Sequence, residues 1–370
     1  MRIIKVLLLL IVTLGVRFSA CAQVPNTWYS YYNTKQDLIG FKDSNGKIMV
    51  PARFGGITRA SVFQNIIAVT DANTNTSYYL LKNGKQVAKD SLYVWDMTYD
   101  CEQESNIRFH DQVTDRVGFL SKNGKINIPA IYNDARPFYN GLALVIHDGK
   151  RICADGTPYK VGCEHWSWNG ITALINTAGT LVADSIDITN TDNMNWYSCK
   201  MTDAPADTTL YTSIKANNGK YYTFINYQKE FNSWFYQNFM KNLKGSSLSA
   251  YCFNEVIVEG LWKQTLRKRY GKSEFLKQYT AIIQQKMSAI KLRKVETNIL
   301  SEDLNALIYN TKSFKVYYTD CDEPNPAKFP SFDVITDHYD NKKQLSYQEH
   351  FSFLRTAQGY KLIAIALKTR

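Results

Sequence analysis

Few residues in this chain have the types and spacing that chemistry needs. The five histidines are His110, His147, His165, His338 and His350. Asp333 and His338 fall on or beside a predicted strand, where an Asp and a His facing a pocket could act as a general acid–base pair. The run Asp337-His338-Tyr339-Asp340-Asn341 reads better as a loop following that strand. Cys163-Glu164-His165 gathers three ligand types, but a turn carrying a polar His explains it better than a metal site. HExxH, CxxC, GxSxG and a phosphate-binding loop are all missing from the sequence. Cys252 has no evident base to activate it. The residues therefore imply no metal, no cofactor and no catalytic centre beyond the weak Asp333 and His338 candidates.

Binding chemistry has more to work with. Trp166 and Trp168 could stack on sugar rings, although most of the 25 Tyr, 18 Phe and 7 Trp should lie in cores. Between Lys263 and Lys294 there are ten basic residues and one acid, Glu274. Lys263, Arg267, Lys268, Arg269, Lys272 and Lys277 form the densest part. That stretch is either a solvated helix face or a surface for anions: lipid phosphates, anionic glycans or an acidic protein. Nucleic acid is disfavoured because no recognition motif accompanies the charge. The formal charge of the whole chain is +11 over 370 residues. Residues 211–370 hold 24 Lys and Arg against 14 Asp and Glu, so the excess sits in that half.

The elements that must position these groups fall into three segments. Residues 1–22 read as a signal peptide, with Arg2 and Lys5 ahead of the apolar run Val6 to Val16 and small residues at Ser19, Ala20 and Ala22. Two processing routes remain open. Ala20-Cys21-Ala22 fits cleavage before Gln23, and Phe18-Ser19-Ala20-Cys21 fits lipidation of Cys21. No other run reaches the length of a transmembrane helix. Six cysteines follow, and an exported chain permits disulfides. Cys153 with Cys163 and Cys252 with Cys321 are the expected pairs, six free thiols being the alternative.

Residues 23–210 repeat themselves. IGFKDSNGKIMVPARFGGI at 39–57 aligns with VGFLSKNGKINIPAIYNDA at 117–135, and a weaker copy starts at Tyr78. Asn-Gly in each copy predicts a two-residue hairpin turn with φ > 0. One hairpin cannot bury its own face, so the units must stack. The pattern Val117-Gly118-Phe119, Asn123-Gly124-Lys125-Ile126, Ile128-Pro129 and Gly141-Leu142-Ala143-Leu144-Val145 resembles the WG-containing repeat of bacteria, with Ile39 and Val117 in place of its Trp. The resemblance implies a β-rich, exported interaction module of the cell envelope and no catalytic residue.

Residues 211–370 change character. Lys229 to Leu243 and a segment opening at Ser273 predict amphipathic helices. More helix is expected within 247–270, and a short one from Ser301 to Tyr309. SFKVYYT at 313–319, Phe332 to Ile335, and His350 to Arg355 with Tyr360 to Leu367 predict strands. The expected fold class is therefore multidomain: an all-β array of hairpins, then an α+β domain with helices packed on an antiparallel sheet. The element order of the second is similar to NTF2-like or cystatin-like folds. Such folds often hold a pocket, so three functions stand open. They are a non-enzymatic envelope binding module with a protein or anionic partner, an envelope hydrolase or isomerase, and a glycan- or peptidoglycan-binding protein.

Overall fold

Apolar runs that are buried on both faces organise the first half. The computed structural model describes residues 27–243, 247–260 and 267–368. The signal-like segment with Cys21, and Lys263, lie outside the described residues. Three antiparallel strands form each repeat. They are Trp28–Asn33, Leu38–Lys42 and Ile48–Gly55 in the first, and Ile66–Asp71, Thr76–Leu81 and Gln86–Val87 in the second. The third has Asn106–Asp111, Arg116–Ser121 and Ile126–Tyr132, and the fourth Leu142–Cys153, Trp166–Asn176 and Leu181–Ala183. A fifth, Lys200–Thr202, Tyr211–Lys215 and Tyr221–Ile225, has its last strand in the middle.

Successive side chains on a strand point to opposite faces, so each repeat can pack on two neighbours. Tyr78 and Leu80 join the first repeat's Phe41 and Phe54, while Tyr79 and Leu81 join the third repeat's Ile107 and Leu120. In turn Val117 and Phe119 meet Ala143 and Val145, whose neighbours Leu142 and Leu144 pack on Ile214 and Phe224. Burying one such side chain contributes about 1.5–3 kcal/mol, which no isolated hairpin could collect.

The repeat turns depart from the two-residue form. In the third repeat Ser121 N–H donates to Lys125 O at 2.8 Å and Gly124 N–H to Ser121 O at 2.8 Å. Gly124 has φ +69°, while Asn123 is not in the left-handed region. This is a three-residue loop closed by a glycine bulge, so Asn-Gly here needs only one positive φ. The same bonds recur around Gly46, Gly84, Gly179 and Gly219. The intervals are 38, 40, 55 and 40 residues, and the long one marks an extended hairpin in the fourth repeat.

In the second half a six-stranded sheet has the order Lys268–Gly271, Cys252–Gly260, Gly359–Leu367, Leu345–Thr356, Ser331–Tyr339 and Glu296–Glu302. It is antiparallel except where Cys252–Gly260 runs parallel to Gly359–Leu367. The helix Lys272–Lys291 and the helical run from Tyr227 through Asn242 cover one face. Phe231, Phe235 and Phe239 recur every four residues, which drifts by about 40° per step on an α-helix. The π turn Phe235–Phe239 offsets that drift and keeps all three buried.

Several expected elements differ. Gly271, not Ser273, caps the long helix. Among the described residues of 247–270, the helix Leu248–Tyr251 is followed by the strand Cys252–Gly260. Ser301 and Glu302 end a strand instead of opening a helix. SFKVYYT forms the 3-10 turn Lys312–Tyr317, because Phe314 and Tyr317, three apart, both reach the core. Asp337 to Tyr339 belong to the strand, not to a loop.

The halves are tied by segment 319–328. Cys101 pairs with Cys321, not Cys252 with Cys321; Cys252 is a buried thiol and Cys199 a second free one. Ser61 and Val62 N–H donate to Asp320 O at 2.8 and 2.9 Å, and Arg59 meets Glu323 at 2.7 Å.

Candidate binding cleft

A β-bulge in the fourth repeat starts the site. The register of Leu142–Cys153 against Trp166–Asn176 shifts between His147 and Lys150, and such shifts re-aim the side chains beyond them. Gly149 and Gly170 make the bulge feasible, since a Cβ on Gly170 would lie 2.7 Å from the Gly149 Cα. Asn133 clasps it, donating to Gly149 O at 3.2 Å and accepting from Gly149 N–H at 2.8 Å. Past the bulge Arg151 faces Trp168 and Cys153 faces Trp166. The Cys153–Cys163 bond, as expected, closes the loop at the hairpin's end.

Arg151 is held on three sides. Its guanidinium lies 4.2 Å from the Trp166 ring centre and 5.0 Å from that of Trp168. Its Nη2 sits 2.7 Å from Asp115, which also receives His110 Nε2 at 3.0 Å. Arg151 Nε is buried with no hydrogen-bond partner. The other wall is built around Tyr93, whose hydroxyl donates to Asp134 at 2.8 Å and is pushed above its ordinary pKa mainly by burial. Arg108 lies 4.0 Å over the Tyr93 ring, bonded to Asp100 and to Ala135 O. Between the walls lies a cleft of about 1110 Å³, at the upper end of small-molecule sites.

The hairpin Val94–Trp95 with Thr98–Tyr99 sits at its rim. Asp96 and Met97 both have positive φ, 44° and 59°, the signature of a type I′ turn. Asp tolerates this region but Met does not, so the turn carries strain of about 1–2 kcal/mol at Met97. It holds Trp95 65 % exposed and free of any ring contact. Arg136, also on the cleft, is exposed and takes part in no hydrogen bond through its side chain and no ion pair.

The other sequence candidates lie elsewhere. Asp333 and His338 sit on opposite faces of Ser331–Tyr339, five residues apart. Asp333 receives His350 Nδ1 at 2.6 Å and Ser352 Oγ at 2.8 Å. That bond to Asp333 raises the His350 pKa, with burial opposing. His338 bonds Glu349 at 3.1 Å, beside Lys286 at 2.7 Å from the same fully buried carboxylate. The two are not brought together as an acid–base pair. Burial raises the Cys252 thiol to about 12 and the Cys199 thiol to about 11, so neither is a poised nucleophile.

The basic stretch is not one free face. Arg267 pairs with Glu259, Arg269 with Glu255 and the Ile308 carbonyl, and Lys268 lies over Tyr270. Lys272 is half-buried and Lys277 stays exposed. Cys163 is in a disulfide, and no group of metal-ligand residues exists among the described residues. Of the cleft residues, only Trp166 and Trp168 were legible as candidates. Trp95 lies between the second and third repeats, Arg136 between the third and fourth and Arg151 within the fourth, and they share no motif.

The family description "WG containing repeat" matches residues 118–150. The chain carries a WG repeat. No curated protein matches it. The WG repeat supplies Asn133, Asp134 and Arg136 to one wall of the cleft and stops one residue before Arg151. Its first glycine is Gly118, where a Cβ would meet Ile128 O at 2.5 Å and Pro129 C at 2.7 Å. The third strand crosses so closely over the second that only glycine fits, and Gly40 is in the same position beneath Ala52. No helix among the described residues is long and apolar enough to cross a membrane.

Proposed function

We propose that this is an exported bacterial envelope protein that binds a ligand without catalysis, with the cleft of the WG-repeat array as its binding site. The observation that carries this reading is the pair of unpartnered groups at the cleft, Trp95 and Arg136, set beside the paired charges Arg108, Asp115 and Arg151. Asp115 is held by Arg151 and His110, and Asp134 by Tyr93. Export is supported by the composition of residues 1–22 and by the two disulfides. Residues 211–370, read as an NTF2-like α+β domain, serve as the platform to which the array is fastened. Exposed Lys268 and Lys277 leave it able to approach an anionic surface.

The test is fractionation followed by sedimentation. The full chain is expected outside the cytoplasm, and the purified protein should co-sediment with washed, insoluble envelope material. Trp95→Ala combined with Arg136→Ala should reduce sedimentation roughly tenfold with the circular-dichroism spectrum unchanged. Equal sedimentation of variant and wild type would remove the cleft from the function.

A further inference from the structure

We infer that the cleft takes a pyranose glycan, stacked on Trp95 and gripped by Arg136 and Asp134; this rests on the reading that the cleft is the binding site. Three features select that chemistry. The first is the platform. The Trp95 indole is exposed, contacts no ring and donates its N–H to no protein group, yet it is fixed on a two-residue turn. An indole has only two side-chain torsions to immobilise on binding, and its face matches the apolar C–H face of a sugar ring.

The second is the supply of planar polar groups of both kinds. A pyranose carries hydroxyls that each donate and accept. Arg136 offers donors with no competing partner. Asp134 uses Oδ1 for Tyr93 and its neighbour's N–H, and leaves Oδ2 open as an acceptor. A guanidinium and a carboxylate two residues apart can each hold a pair of adjacent hydroxyls. On the opposite wall, the Arg151 guanidinium lies against Trp166 and Trp168 and is held by Asp115, so that wall adds shape and aromatic surface and not a free donor.

The third is charge. Arg108, Arg136 and Arg151 are balanced by Asp96, Asp115 and Asp134 among the lining residues. Two of the arginines are already neutralised, Arg108 by Asp100 and Arg151 by Asp115. Among the described residues, the one helical element that reaches the lining, the three-residue 3-10 turn Ile188–Asn190, is already capped by Asp187. A phosphate-bearing ligand such as a nucleotide would meet two carboxylates without a cation partner, Asp96 and Asp134, against one free cation, Arg136. A neutral sugar, or one bearing a single carboxylate opposite Arg136, meets no such penalty.

The experiment titrates the full chain with cellotetraose, tetra-N-acetylchitotetraose and tetragalacturonate, following tryptophan fluorescence and heat. At least one should give a saturable change, weakened roughly tenfold or more in Trp95→Ala and in Arg136→Ala. Preference for tetragalacturonate that disappears in Arg136→Ala would place a sugar carboxylate on that residue. If none of the three binds at about 10 mM while the protein still sediments with envelope material through Trp95 and Arg136, the glycan inference is overturned and the cleft reading stands. If sedimentation is also indifferent to both residues, both fall. Saturable binding of AMP or of a tryptophan-containing peptide in place of the sugars would likewise overturn the glycan assignment.

Discussion

At the scale of single residues, Gly118 shows how the repeat motif encodes structure and not chemistry. The backbone of Ile128, Pro129 and Ala130 lies 2.5–2.7 Å from where its Cβ would be. These are main-chain atoms and cannot swing away. Gly118→Ala should therefore cost about 1–3 kcal/mol or more, the range for forced overpacking. The same substitution at Gly141, where nothing lies within 4 Å but φ is +74°, should cost only the conformational penalty, about 1–2 kcal/mol. Urea titration of both variants checks the order, and a Gly118→Ala protein as stable as the wild type would contradict the crossing geometry.

At the scale of elements, the sequence disclosed what is periodic and concealed what is tertiary. The repeat turns were legible because Asn-Gly recurs at near-constant intervals, and the closing hairpin around Gly359 because two apolar runs flank a turn. SFKVYYT alternates like a strand, yet the core receives Phe314 and Tyr317 at helical spacing, so packing overrode the local pattern. The strand Cys252–Gly260 was hidden because it is a central strand covered on both faces, with no alternation to betray it. The cleft was least legible of all. Its rim turn, Asp96-Met97, lacks the Asn-Gly signature although it adopts the same geometry. Replacing these two residues by Asn-Gly should remove the strain at Met97 and raise stability by about 1–2 kcal/mol. Thermal melts would show this as a higher midpoint, with Trp95 fluorescence retained. A lower midpoint would mean that Met97 makes contacts worth more than the strain it carries.

At the scale of the whole molecule, the seam at segment 319–328 decides whether the array and the second half act as one body. The Cys101–Cys321 bond links positions 220 residues apart in sequence, a pairing that spacing alone could not suggest. Beside it Asp320 turns its backbone carbonyl to Ser61 and Val62, while its carboxyl lies partly buried near Glu102 and Asp322. Desolvation first, then those two negative charges, raise its pKa from 3.8 to about 6. A carboxyl raised on folding is better tolerated protonated, so its contribution to stability is fully present below pH 3.8 and is lost as pH rises through about 6. The shift corresponds to at most about 3 kcal/mol, and solvent screening of a half-buried group reduces this to about 1–2 kcal/mol. Asp320→Asn keeps the backbone bonds and removes the charge. Its melting temperature should therefore match the wild type at pH 4 and exceed it by several degrees at pH 8, with the disulfide intact in both. A difference that is the same at both pH values would show that Asp320 ionises freely in the folded protein. The seam would then be held by the disulfide, the Ser61 and Val62 bonds and the Arg59–Glu323 pair without a titrating component.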